Sequence, residues 1–153
     1  MAGTLKAQEI FSFLLPDQVN AISDAAERVS FKAGDFIYEK GDKAENFFII
    51  LDGEVTLRTP SQSGLSLVID QMGRGDIFGG PLGQRRKSYC LSAQCSREAR
   101  LLQINVSVMK KLMDKDERMG LHLQRYVATA YFNRYIDTMK KLQAIVRNIP
   151  VEA

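Results

Sequence analysis

The chain has a single histidine, His122, and two cysteines, Cys90 and Cys95, in 153 residues. No second histidine, paired cysteines or acidic cluster accompanies His122, so a tetrahedral metal centre is not expected. The cysteine spacing matches no zinc or redox motif. Both cysteines read as structural residues, one buried and one half-exposed, and both suit a reducing cytoplasm. No nucleophile, base and orienting residue form a group, which argues against catalysis. The longest apolar run, residues 47–51, is far shorter than the roughly 20 residues needed to cross a bilayer. The N-terminus lacks a basic segment followed by a long apolar one, so no secretory signal is read. A cytoplasmic protein without membrane contact is expected. The net charge of +3 is too small to imply nucleic-acid binding by itself. There is no internal repeat and no low-complexity segment.

What is present is an ordinary globular composition, 45% hydrophobic and 25% charged. It is long enough to bury a core without disulfides, and most simply one domain with a helical appendage. Residues 1–28 read as helical from position 5 onward. Pro16 and Asp17 suit a first helical turn, and Val19, Ile22 and Ala26 share a face. Residues 29–104 read as β. Turn signals recur at 33–35, 40–42, 52–53, 63–64 and 73–76, with short apolar or alternating runs at 47–51, 54–58, 65–69, 89–93 and 100–104. Asp52-Gly53 predicts a hairpin. Gly34, Gly41, Gly53 and Gly75 sit at predicted corners, as structural residues rather than ligand contacts. Many short strands at this spacing predict a sandwich, barrel or jelly roll.

Residues 105–149 read as helical again. Asn105 caps a short helix, and a long one follows from about Asp116 to Asn148, roughly 50 Å at 1.5 Å per residue. Met119, Leu123, Tyr126 and Ala130 form one stripe on it. Phe132, Tyr135, Met139, Leu142, Val146 and Ile149 form a second, heptad-like stripe. One stripe is expected to pack on the β region. The other is left for a partner, most simply a second copy in a homodimer, because the helix outruns so small a β region.

The motif series Phe31…Gly34-Asp35…Ile37, Gly41-Asp42, the 47–51 run, Gly53-Glu54-Val55 and finally "GRGDIFGG" resembles the cyclic nucleotide-binding domains. That group includes the catabolite activator protein family, the regulatory subunits of protein kinase A and nucleotide-gated channels. The resemblance spans residues 11–145. It implies a mainly β fold with flanking helices, a double-stranded β-helix or jelly roll of eight strands followed by a long C-terminal helix. It also implies a regulatory role, with cyclic AMP or cyclic GMP as ligand and no cofactor. Family transcription factors continue into a helix-turn-helix, and residues 150–153 offer none, so no DNA-binding domain is read in this chain. A metal enzyme of cupin type on a similar roll would need a histidine and carboxylate set that one histidine does not provide.

The resemblance implies a phosphate-binding cassette at residues 78–89. In the family this stretch reads Phe-Gly-Glu-Leu and ends in Arg-Ala-Ala or Arg-Ser-Ala. A short helix presents its amides to the cyclic phosphate, the glutamate binds the ribose hydroxyl, and the arginine pairs with the phosphate. Here the cassette is altered and shortened. Gly80 stands at the glutamate position, and Lys87 replaces the arginine unless the alignment slips by one onto Arg86. Lysine supplies a point charge rather than a planar fork. A lost charged hydrogen bond is worth about 1.5–3 kcal/mol, on the order of tenfold to a hundredfold in affinity. The implied ligand contacts are Gly79, Gly80, Leu82, Arg86, Lys87, Ser88 and Tyr89, with Arg134 and Tyr135 of the long helix near the base. Two readings stand: a sensor for a cyclic nucleotide or related phosphate that signals through its C-terminal helix, or a domain without ligand that acts as a dimerisation or protein-interaction adaptor.

Overall fold

The computed structural model describes residues 1–60, 63–80 and 87–147. The turn-punctuated region folds into eight strands: β1 (Ala26–Phe31), β2 (Phe36–Tyr38), β3 (Asn46–Asp52), β4 (Val55–Arg58), β5 (Val68–Met72), β6 (Ile77–Gly79), β7 (Ser92–Cys95) and β8 (Ala99–Asn105). They form two four-stranded sheets, ordered β1-β8-β3-β6 and β2-β7-β4-β5. Every pairing is antiparallel. This is the expected jelly roll. Helices α1 (Ala2–Lys6) and α2 (Pro16–Ser23), with a 3-10 turn at Glu9–Phe11 between them, and helices α3 (Val106–Lys115) and α4 (Glu117–Val146) flank it.

The apolar run on β3 is explained by burial on both faces. Phe47 and Ile49 face the helices and join a core with Ile10, Phe11, Ile22 and Leu123. Phe48 and Ile50 face the second sheet and join a core with Val55, Phe78, Ala93 and Leu101. Strand β8 divides its residues in the same way, with Leu102 and Ile104 toward the helices and Ala99 and Leu101 toward the roll interior.

Three local expectations are corrected. Asp52-Gly53 is a corner between sheets, since β3 and β4 lie in different sheets. The hairpin is instead β4–β5, with Val55 opposite Met72 and Ser63 and Gly64 at positive φ in its turn. The strand expected at 65–69 begins only at Val68, and Leu65 and Leu67 are exposed at the hairpin tip. The N-terminal helical reading stops early. β1 starts at Ala26 and pairs with β8 from Ala26 opposite Ile104 to Phe31 opposite Ala99. That full ladder outweighs the helical pattern of residues 25–28. Of the two cysteines, Cys95 is the buried one, in β7, and Cys90 before it is exposed.

The C-terminal helices follow their capping residues. Asn105 accepts a hydrogen bond from the Val108 amide at 3.1 Å. Asp116 accepts from the Met119 amide at 3.0 Å and from the Gln18 side chain at 2.7 Å. These bonds hold its carboxyl below the usual range. Met119 and Leu123 are buried, with Tyr126 and Ala130 packed beside them. The stripe from Phe132 to Val146 remains exposed. Among the described residues no helix is long and apolar enough to cross a membrane.

Gly53 has φ +99°, and a Cβ there would lie 2.2 Å from the Glu98 carbonyl oxygen. Gly34 has φ +91° but open space around it. Gly34→Ala is expected to cost about 1–2 kcal/mol, the strain alone. Gly53→Ala is expected to cost about 3 kcal/mol or more, because overpacking against backbone adds to strain. Urea midpoints of the two variants check this difference.

Candidate functional site

The cassette is closed at its base by one residue, Asn46, at the start of β3. At the near end the Gly80 amide donates to the Asn46 carbonyl at 2.7 Å. At the far end the Tyr89 hydroxyl donates to the same carbonyl at 3.0 Å and accepts from the Asn46 amide at 3.2 Å. A phenol has one donor and acceptor lone pairs, so it satisfies both groups together. The Tyr89 ring stacks on Tyr38, with centroids 3.6 Å apart. Backbone bonds from Ala44 to Lys87, and in both directions between residues 41–42 and Tyr89, extend the closure.

The two glycines at the entry are required by the same approach. Gly79 has φ +101°, and a Cβ there would come within 2.8 Å of the Phe48 ring and 2.9 Å of the Asn46 oxygen. At Gly80 a Cβ would come within 2.8 Å of Val106 and 2.9 Å of the Asn46 oxygen. The glutamate of the family pattern therefore has no room at position 80.

The expected ligand contacts are separated by the fold. Lys87 and Ser88 are exposed beside Lys43, which forms a β-bridge with Ser88. Tyr89 is buried, and its side chain is committed to Tyr38 and Asn46. Leu82 and Arg86 lie outside the described residues. Arg134 points at the roll: its Nε is 2.7 Å from Asp70 Oδ2, its Nη2 donates to the Ile77 carbonyl at 2.6 Å, and its guanidinium lies 5.2 Å from the centre of the Tyr131 ring. Tyr135 is 59% exposed and packs with Phe132 on the outer side of α4.

Burial is the main cause that pushes the Tyr38 hydroxyl well above its ordinary range. Tyr131, Tyr89 and Cys90 add to that shift, and Arg134 opposes it. Burial likewise raises Tyr131, with Arg134 opposing. The Cys95 thiol is pushed up to about 11, first by burial and then by Asp35.

Sequence reasoning missed Tyr38, Asn46 and Asp70. Tyr38 was legible as an aromatic in a strand. Nothing local marks Asn46, whose role is carried by its backbone, or Asp70, whose partner lies on α4.

The cyclic nucleotide-binding domain profile matches residues 28–116. The chain belongs to the cyclic nucleotide-binding domain family. It is similar to a cGMP-dependent protein kinase of Drosophila melanogaster, isozyme 2 forms cD5/T2, at 36% identity over 49% of this chain and 8% of that protein. The chain thus spans less than a tenth of that relative. A solved putative cyclic nucleotide-binding protein from Geobacter metallireducens superposes with TM-score 0.77 at 25% identity, covering 88% of this chain and 97% of the other. The sensor domain of the transcriptional regulator DNR from Pseudomonas aeruginosa shares the fold, with TM-score 0.71 at 15% identity, over 84% and 91% of the two chains.

Tyr89→Phe keeps the stacked ring but removes both hydroxyl bonds to Asn46. A loss of about 1–3 kcal/mol is expected, since the Asn46 amide loses a partner in a half-buried setting. Tyr89→Ala should cost about 3–5 kcal/mol through the cavity left in the roll. Denaturant unfolding of both variants checks the order.

Proposed function

We propose that the domain binds a cyclic nucleotide or related phosphate ligand at residues 79–89 and passes its state to α4. The observation that carries this reading is the closure at Asn46. It holds both ends of a segment whose sequence contains Arg85, Arg86 and Lys87 consecutively. A basic segment pinned at its base loses less freedom when it orders around an anion. Lys87 and Lys43 supply exposed cationic side chains at the cassette exit. Ligand acts on α4 only through different affinity for two helix positions. The name of the Drosophila relative makes cyclic GMP a natural first ligand to try, beside cyclic AMP.

Cyclic AMP or cyclic GMP at millimolar concentration should raise the melting temperature. A ligand present at about a hundred times its Kd adds about 2.7 kcal/mol. Arg86→Ala combined with Lys87→Ala should abolish the shift. No shift with either nucleotide in the unaltered chain sinks this reading.

A second reading rests on two other observations. Position 80 has no room for a ribose-binding side chain, and the Tyr89 ring lies inside the roll. On this reading the domain is a ligand-free adaptor, and α4 is its working surface. Phe132, Tyr135, Met139, Leu142 and Val146 are all exposed on one heptad-like stripe. Such a stripe is self-complementary about a two-fold axis, so a second copy of this chain is the natural occupant. Tyr135→Glu with Met139→Glu should convert a dimer to a monomer in light scattering. An oligomeric state unchanged by both charges tells against that seam.

A further inference from the structure

Helix α4 is fastened to the roll in two chemically different ways. Its first part is held by apolar burial, with Met119, Leu123 and Val127 all within 4% exposure. After Val127 the apolar attachment thins to the partly buried Ala130 and Tyr131, which still pack against the helix-side core. The polar attachment that follows is made by Arg134. One arm of its guanidinium reaches Asp70 on β5 and another reaches the Ile77 carbonyl on β6. The two charged side chains are only 19% and 16% exposed. Lys141, about two turns further on, approaches the second oxygen of Asp70 at 4.0 Å.

Strands β5 and β6 are the edge strands of the two different sheets. Arg134 therefore straddles the open side of the roll with one arm on each sheet. Strand β6 is three residues long and leads through Gly79 directly into the cassette. The Ile77 carbonyl that Arg134 holds lies two residues before Gly79, on the same short strand. Beside the strap, a cleft of about 650 Å³ lies between α4 and the β5 and β6 strands, lined by Asp70, Ile77, Tyr126, Asn133 and Arg134 among others.

We infer that Arg134 is a positioning residue that sets the placement of the second half of α4 according to the state of the cassette. This inference rests on α4 carrying the output. Its test uses no nucleotide, so its failure and the failure of ligand binding are separate results.

The experiment is amide hydrogen exchange on the full chain. In Arg134→Ala, protection of residues 134–146 should fall by about tenfold or more, while β3, β8 and residues 119–127 keep theirs. Arg134→Lys keeps a charge for Asp70 but loses the second arm, and should give an intermediate loss in the same residues. Coupling is read from Tyr89→Phe, which loosens the closure at Asn46. It should lower protection of residues 134–146 in the otherwise unaltered chain and have no further effect when combined with Arg134→Ala or Arg134→Lys. If Arg134→Ala does not fold, the Arg134→Lys pair decides. Unchanged protection of residues 134–146 in the Arg134 variants, a uniform loss across the roll in Arg134→Lys, or additive effects of the Tyr89 and Arg134 changes would each overturn the inference.

Discussion

Strand β3 is the constraint on which the rest of the structure depends. Its four consecutive apolar residues, Phe47, Phe48, Ile49 and Ile50, are all within 2% exposure. They alternate between the helix-side core and the roll interior. Each buried side chain of this size contributes about 1.5–3 kcal/mol, so this strand joins two cores that would otherwise be independent. It also lies between β8 and β6, and thereby fixes the register of the edge strand that opens the cassette.

The functional region inherits its geometry from that strand. Asn46 begins β3, and its peptide groups receive both ends of the cassette. The close approach explains why glycine stands at positions 79 and 80, and it removes the space a ribose-binding glutamate would use. The same closure places the Tyr89 ring against Tyr38. An altered cassette is therefore not a list of isolated substitutions. Gly80, Tyr89 and Asn46 form one packed arrangement, in which enlarging one residue displaces the others. The side chains left outward are Lys87 and Ser88.

Much of the fold was legible in the sequence because its signals are local. Turn glycines, the apolar run at 47–51, the cap Asn105, the acidic helix start at Asp116 and the stripe through Met119 and Leu123 each act within a few residues. The hairpin expected at Asp52-Gly53 failed for a physical reason. A glycine corner that reverses a strand within one sheet and one that carries it into a second sheet use the same residues. The pairings on either side separate the two, β3 with β8 and β6 and β4 with β5 and β7. The early start of β1 has the same origin, since its pairing partner β8 lies about half the chain away. The resemblance implied Arg134 as a contact near the base, but its engagement with Asp70 joins two elements that no local pattern connects.

The sequence by itself determined the class of fold, which follows from residue types whose conformational preferences are intrinsic: glycine at positive φ, apolar alternation and helix caps. Its motif series carried the resemblance to the family that the profile match over residues 28–116 shows. Only the tertiary structure decided that Tyr89 turns inward, that Asn46 closes the cassette and that Arg134 straps the helix across both sheets. Those outcomes depend on which distant backbone groups come within hydrogen-bonding reach, and that distance exists only once β3 has been buried on both sides.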